Sequence, residues 1–174
     1  SVFPGSRWQS RDGCTVCEGG AERSFSVRNA LAASSGPAGE AVLVHDAARP
    51  LLTGELIARM IDSIEGPDGA QAAVAAAPVT DTIRVADVDG SVLATPDRST
   101  LRAMQTPQAF RREVLERALA QDDEMVAAAT DDAALAEALG VVVKLIDSPP
   151  ENLKVTTPTD IALAELLLAE RGNR

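Results

Sequence analysis

The stretch that decides the fold is AVLVHDAARPLL, residues 41–52. Four apolar residues are followed by the only histidine of the chain, an aspartate, two alanines, an arginine and a proline. A short run that is apolar throughout is typical of a parallel strand covered on both faces. In open parallel α/β sheets, ligands bind beyond the carboxyl ends of the strands. The stretch therefore predicts a strand that leads into a binding loop formed by His45, Asp46, Ala47, Ala48 and Arg49.

The side chains of this loop indicate a class of ligand. Asp46 can accept a hydrogen bond from a sugar hydroxyl or bind a hydrated magnesium ion, and Arg49 can contact phosphate oxygens through its planar fork. Ala47 and Ala48 have small side chains, so that a flat ring or a phosphate can approach the backbone. The alternative is structural: an Asp46–Arg49 pair that closes a turn, with His45 half-buried and hydrogen-bonded.

On both sides of the loop, short apolar runs alternate with amphipathic helical runs, a pattern that predicts an α/β domain with a mostly parallel sheet. Thr53 is the expected cap of the next helix, which GPDG (66–69) ends. AQAAVAAAPV (70–79) and VVVKLI (141–146) are predicted as further buried strands. Since there is no repeat and no long linker, residues 1–174 are expected to form one domain.

Three further helices are predicted towards the carboxyl end. They cover RREVLERALAQ (111–121), DDAALAEALG (131–140) with Thr130 as its cap, and a last helix announced by the capping box Thr157–Asp160. Proline at the first position suits that last helix. Its expected apolar stripe consists of Ile161, Leu163, Leu166 and Leu167.

Residues 80–104 depart from this alternation of apolar runs and helical runs. TIRVADVDGSVLAT (82–95) indicates two short strands joined through Asp89 and Gly90, which is a hairpin signal. A hairpin inserted into an α/β domain has few core residues of its own. We therefore expect either an arm that packs on a partner subunit or a surface flap.

Composition excludes some classes of function. The net charge of −10 argues against a general nucleic-acid or anionic-membrane surface. No apolar run reaches the ~18 residues that span a bilayer, and the first residues lack the layout of a secretory signal, so a cytoplasmic protein is expected. Cys14 and Cys17 form a CTVC motif that would suit a redox pair or half a zinc site, but the favoured interpretation is two reduced thiols near a short strand.

Other cationic residues of the chain are also candidates for binding phosphate. Lys154 leaves an apolar strand end just before a helix start, where it can meet a phosphate or simply lie on the surface. Arg98, Arg102 and Thr106 lie in what the sequence presents as a loop. Together with Arg49, these cations suggest a polyphosphate substrate, and a single histidine supports no Ser-His-Asp or Cys-His arrangement.

Six segments, in order and spacing, resemble the 2-C-methyl-D-erythritol 4-phosphate cytidylyltransferase family. They are CEGGAERSFSV (17–27), VLVHDAARPLL (42–52), APVTDTIRV (77–85), TPDRSTLRAMQTPQAF (95–110), ATDDAALAEALG (129–140) and ENLKVTTPTDIALAELLL (151–168). The resemblance implies a Rossmann-like, glycosyltransferase-A-like nucleotidyltransferase fold and a homodimer held by the arm of residues 80–104. It also implies an enzyme of the non-mevalonate isoprenoid route. That enzyme converts CTP and methylerythritol phosphate, with Mg²⁺, into 4-diphosphocytidyl-2-C-methyl-D-erythritol and pyrophosphate.

The resemblance also implies roles for matching residues. Those expected to line the cytidine pocket are Gly20, Ser26, Ala47 and Ala48. Those expected to carry catalysis are Lys154, Arg49 and Asp46, with Asp46 holding the polyol hydroxyls or supporting the metal. Those expected at the substrate are Thr82, Arg98, Thr106 and Thr130, of which Thr82 and Arg98 would reach the neighbouring subunit's site.

Two departures from the family pattern affect these expectations. Ala21 stands where the family often has an acid after Gly-Gly. Nothing in SVFPGSRWQSRDG (1–13) matches the family's first strand and Gly-rich loop, whose arginine and lysine cradle the triphosphate, so an amino-terminally truncated copy that lacks this βα segment is expected. The alternatives are a ribitol 5-phosphate cytidylyltransferase and a catalytically inactive, dimerising module.

Overall fold

A computed structural model of the chain describes residues 13–66 and 68–172. Its main sheet has four strands in the order β1-β5-β2-β6, formed by β1 (Ala41–Val44), β2 (Ala72–Pro78), β5 (Arg102–Arg111) and β6 (Val143–Asp147). β1, β2 and β6 run in one direction, and β5 runs antiparallel to both of its neighbours. The predicted α/β class is confirmed, with a mixed sheet in which most strands share one direction. The prediction of a loop around Thr106 is wrong, because this residue lies inside β5.

β2 confirms the prediction of a strand buried on both faces. Ala72 to Ala76 are at most 1% exposed. Because successive side chains of a strand point to opposite faces, Ala72 and Val74 pack in the same cluster as Phe110, while Ala73 and Ala75 pack in another cluster with Met60. The sheet therefore has helices on both sides.

The edge strands are less buried than their apolar sequences predict. β1 is half-buried, and in the described part of the chain it pairs with β5 alone. β6 lies at the opposite edge, where Leu145 is 46% exposed. Full burial was the wrong expectation for β6, because it pairs only with β2 among the described residues.

The described ranges contain six α-helices: α1 (Arg23–Ala32), α2 (Gly54–Glu65), α3 (Arg112–Leu119), α4 (Asp123–Ala128), α5 (Asp132–Ala138) and α6 (Pro158–Gly172). Thr53 caps α2 as predicted, since its side chain accepts from the Leu56 N–H. Asp131, not Thr130, caps α5 by accepting from the Ala134 N–H. This correction follows from the shorter helix, which begins at Asp132.

α6 begins at Pro158 with the predicted capping box. The Asp160 carboxylate accepts from the N–H groups of Thr156 and Thr157. The predicted apolar stripe is not buried, however: Leu166 is 57% exposed, and the buried residue of the helix is Ala164. The stripe failed as a core prediction because only the face around Ala164 contacts the described domain.

The predicted hairpin is present as β3 (Val85–Ala86) and β4 (Val92–Ala94), which pair antiparallel. Its turn contains Gly90 with a φ of 87°, a conformation that suits glycine. A single 3-10 turn, Arg98–Thr100, then leads into β5. The hairpin carries exposed apolar side chains at Ile83, Val85, Val88, Val92 and Leu93.

The remaining sequence predictions concern cysteines and membranes. Cys14 and Cys17 are free thiols. Among residues 13–66 and 68–172, no group of three or more His, Cys, Asp or Glu side chains is placed to hold a metal ion. Within the same ranges, no helix has the length and apolar character needed to cross a membrane. The comparison of residues 1–12 with a Gly-rich loop lies outside the described residues.

Candidate active site at the end of the first strand

The loop after β1 is held by a chain of hydrogen bonds centred on Thr106 of β5. The Asp46 N–H donates to Thr106 Oγ1 over 2.9 Å, and His45 Nδ1 lies 3.1 Å from the same oxygen. His45 Nε2 lies 3.0 Å from the Arg49 carbonyl oxygen. Since a carbonyl oxygen can only accept, Nε2 carries a proton, and in the neutral ring Nδ1 accepts from the Thr106 hydroxyl. His45 is thus half-buried and satisfied, as the structural alternative expected.

Arg49 lies beneath the loop and does not project into open space. Its side chain is buried, and Nη1 donates to the Asn152 carbonyl oxygen over 2.8 Å. Burial lowers the pKa of the Arg49 guanidinium, against the opposing effect of the Asp46 charge. This hydrogen bond fixes the loop to the segment that follows β6. The expected fork of Arg49 onto phosphate stays a prediction.

That segment carries Lys154 to the loop. Asn152 is buried, and its Nδ2 donates to the Thr106 carbonyl oxygen over 2.9 Å. Three residues later the Val155 N–H donates to the Ala48 carbonyl oxygen over 2.8 Å. These two anchors place Lys154, between them, beside Asp46.

Asp46 has a cation on each carboxylate oxygen. Lys154 Nζ lies 3.0 Å from Oδ2, and Arg23 Nε lies 3.4 Å from Oδ1. Burial alone would raise the pKa of Asp46, but the hydrogen bond from Lys154 and the positive charges of Arg23 and Lys154 outweigh it and lower the pKa. Asp46 is therefore an anion at neutral pH. The predicted alternative of an Asp46–Arg49 ion pair is not what forms.

Arg23 is a residue of the candidate site that sequence reasoning missed. It is the first residue of α1 and also pairs with Asp132, whose Oδ2 lies 2.8 Å from Nη1. Burial raises the pKa of Asp132, against the charge of Arg23. The arginine stands in the quoted segment CEGGAERSFSV, but its partners are 23 and 109 residues away in sequence, and no local pattern connects them.

A cavity of about 880 Å³ opens between α1 and β1. Its lining includes four predicted site residues, Ser26, Asp46, Ala47 and Ala48, together with Arg23 and His45. Its volume lies within the range of small-molecule sites, about 300–1,000 Å³. The structure thus brings together the strand-end loop and the helix that follows Gly-Gly.

Gly20 and Ser26 meet at the start of α1. The Gly20 N–H donates to Ser26 Oγ over 3.1 Å. A Cβ at Gly20 would collide with Phe25, so only glycine fits this close turn.

The other predicted substrate residues lie apart from this cluster. Thr82 and Arg98 are exposed residues of the hairpin region, and Arg98 Nη1 donates to the Thr80 carbonyl oxygen over 2.8 Å. Thr130 is exposed just before α5. None of the three lines the cavity formed by the described residues. Thr106 is 4% exposed and contacts the loop as described above.

Residues 6–170 match the IspD family model, described as 2-C-methyl-D-erythritol 4-phosphate cytidylyltransferase. The chain belongs to this cytidylyltransferase family. The resemblance recognised from six sequence segments is therefore confirmed, as is the expectation of a nucleotidyltransferase family.

Named relatives agree with the family. The chain is 44% identical to the 2-C-methyl-D-erythritol 4-phosphate cytidylyltransferase of Rubrobacter xylanophilus over 92% of this chain and 68% of the relative. It is 50% identical to that of Frankia casuarinae over 88% of this chain and 56% of the relative. The chain thus spans between about half and two thirds of the length of these curated relatives.

Solved structures agree as well. The crystal structure of the Thermus thermophilus cytidylyltransferase superposes with a TM-score of 0.84 at 36% identity, covering 97% of this chain and 80% of that one. That of the Francisella tularensis enzyme superposes with a TM-score of 0.81 at 30% identity, covering 91% and 74%. The nucleotidyltransferase fold predicted from the resemblance is confirmed by these cytidylyltransferase structures.

Proposed function

We propose that this chain carries the reaction of its family, the transfer of a cytidylyl group from CTP to 2-C-methyl-D-erythritol 4-phosphate. An oxygen of the acceptor phosphate attacks the α-phosphorus in line, the bond from that phosphorus to the β-phosphate oxygen breaks, and pyrophosphate leaves. The observation that supports it best is the Lys154–Asp46 pair, because Asp46 lines the same cavity as Ser26, Ala47 and Ala48. The reaction needs mainly positioning and neutralisation of phosphate charge.

Lys154 is the cation best placed to meet phosphate. Its side chain is 47% exposed, whereas Arg49 is buried on a backbone carbonyl. The Lys154 ammonium is paired with a carboxylate, and rotation of its flexible side chain can bring it to a bound phosphate without a change of backbone. We therefore assign the catalytic cation to Lys154 and loop positioning to Arg49.

Asp46 is proposed to bind the hydroxyls of the polyol. It is an anion whose backbone is fixed to Thr106, so its orientation is set before substrate arrives. A carboxylate can accept hydrogen bonds from two hydroxyls at once. In this proposal the buried Thr106 acts through its hydrogen bond from the Asp46 N–H.

The cytidine is proposed to lie along the start of α1 and along the part of the loop that has small side chains. Gly20 and Ser26 close a tight turn there, and Ala47 and Ala48 leave room for a flat ring. Side chains larger than alanine at these two positions would fill the space that the ring needs.

Mg²⁺ is proposed to bind together with the phosphates of CTP. Mg²⁺ commonly keeps several waters and takes one or two carboxylates plus substrate phosphates. Asp46 is the carboxylate of the cavity, and both of its oxygens face cations here. Among the described residues that line the cavity, Asp46 is the carboxylate that would help to hold Mg²⁺, and the metal would supply neutralisation of charge on the triphosphate.

The hairpin of residues 80–104 is proposed to form the contact of a homodimer. Its exposed apolar side chains, among them Val85, Val92 and Leu93, support this role. Thr82 and Arg98 would then serve the neighbouring subunit's site, which is compatible with their absence from the described cavity lining of their own chain. Location in the cytoplasm stays a prediction from the sequence.

Pyrophosphate release tests the reaction and its acceptor. The purified chain is incubated with CTP, Mg²⁺ and either methylerythritol phosphate or ribitol 5-phosphate. We expect release with the first acceptor and at most a trace with the second. Release with ribitol phosphate alone would replace the proposed acceptor, and silence with both in a folded sample would favour the inactive, dimerising module.

A further inference from the structure

A buried carboxylate at the start of α5 has no role in the proposed reaction. The Asp132 side chain is fully buried, and in the described part of the chain its Oδ1 has no hydrogen-bond partner. Its Oδ2 accepts from Arg23 Nη1 over 2.8 Å. A buried charge is costly unless it is paired and hydrogen-bonded. Arg23 supplies such a partner for Oδ2, while Oδ1 has none among the described residues.

The same guanidinium reaches the loop of the candidate active site. Arg23 Nε lies 3.4 Å from Asp46 Oδ1, so one planar group contacts two carboxylates from different parts of the fold. The contact with Asp132 is the shorter one and fixes where the guanidinium sits. A planar fork holds such a direction better than an ammonium does.

We propose that Arg23 is a positioning residue that orients the Asp46 carboxylate, with Asp132 as its anchor. Asp46 has two cationic partners, and the proposed reaction draws one of them, Lys154, towards phosphate. When Lys154 turns away, Arg23 is the partner that keeps Asp46 aimed at the acceptor hydroxyls. This inference rests on the proposed function.

A purely structural role makes a different prediction. If Arg23 only neutralised Asp132, then removing both charges together would restore the protein completely. The test therefore compares Arg23→Gln, Asp132→Asn and the double variant. Arg28→Gln is the matched control, because Arg28 lies in the same helix and ties it to Asp123 away from the cavity, with 2.8 Å between Nη1 and Oδ1.

Thermal unfolding and steady-state kinetics separate the two roles. We expect Arg23→Gln to lower the Tm and to raise KM for methylerythritol phosphate about tenfold, because a charged hydrogen bond to Asp46 is lost. The double variant should regain the Tm, since no unpaired buried charge remains, while its KM stays raised. Arg28→Gln should leave this KM unchanged. A double variant that regains the wild-type KM would overturn the proposal.

Crystal structures of the double variant and of Arg28→Gln test whether Arg23 positions Asp46, even if the chain shows no turnover. If the wild-type chain releases no pyrophosphate, the proposed function fails, but the position of the Asp46 carboxylate can still be compared. Displacement of that carboxylate in the double variant alone supports positioning by Arg23. An undisplaced Asp46 in both variants contradicts it.

Discussion

Asp46 is the residue at which several contacts of the candidate active site meet. It lies between Lys154 and Arg23, and its backbone is fixed by Thr106. Because its pKa is lowered by the two cations against the effect of burial, it stays charged at neutral pH. An anion held in place beside a half-exposed cation suits the proposed roles, in which Asp46 binds the polyol hydroxyls and Lys154 meets phosphate.

Lys154→Met tests the proposed catalytic cation. We expect kcat to fall roughly 10²- to 10³-fold, because one charge that stabilises the transition state is lost. The other lysine of the chain, Lys144 on β6, provides the matched variant Lys144→Met, which should retain full activity. Equal rates for the two variants, from pyrophosphate release at saturating substrates, would remove Lys154 from the mechanism.

His45 gives a spectroscopic prediction, since it is the only histidine of the chain. Its contacts to the Arg49 carbonyl and the Thr106 hydroxyl require the proton on Nε2. Nitrogen-15 NMR of the neutral ring should show one imidazole in the Nε2–H form. Substitution of Thr106 by Val should weaken that preference, and an Nδ1–H ring in the wild type would contradict the hydrogen-bond chain.

At the scale of elements, the cap of α6 predicts that the stability of the protein depends on pH. Hydrogen bonds from the N–H groups of Thr156 and Thr157 lower the pKa of Asp160 from 3.8 to about 2. Its stabilising effect is therefore complete above pH 3.8 and is lost as the pH falls through about 2. Asp160→Asn should lower the Tm at about pH 6 and make little difference near pH 2. A Tm difference that stays constant across this range would exclude the capping role.

The cap of α2 gives a prediction of stability. Thr53 Oγ1 accepts from the Leu56 N–H over 3.2 Å, and the helix packs Leu56, Met60 and Ile64 against the sheet. Thr53→Ala should reduce the free energy of unfolding by about 1 kcal/mol. Thr53→Ser, which keeps the oxygen, should lose far less in urea denaturation. Equal losses would show that the methyl group, not the cap, matters.

Elements with strong local signals were predictable, and those defined by distant partners were not. The apolar run of β1, the Asp89–Gly90 turn and the Thr157–Asp160 box each contain their own signal. β5 was missed because Arg102 and Gln105 look polar, although the strand is paired on both sides. The Arg23–Asp132 pair could not be predicted, since it joins helices 109 residues apart.

At the scale of the whole molecule, the hairpin arm predicts association. Its exposed apolar side chains belong to a region with few core residues of its own. Sedimentation equilibrium should give twice the 18.1 kDa of one chain. Leu93→Asp in the arm should shift the mass towards one chain, while Val142→Asp, exposed before β6, should not. A monomeric wild type would remove the arm's proposed role.

The most direct test of the active site at the end of β1 follows the phosphorus atoms themselves. Phosphorus-31 NMR of the chain with CTP, methylerythritol phosphate and Mg²⁺ should show a new diphosphate diester together with free pyrophosphate in equal amounts, and Lys154→Met should slow both. CTP left unchanged by a folded wild-type sample, or CMP and pyrophosphate formed without the diester, would contradict cytidylyl transfer at this site.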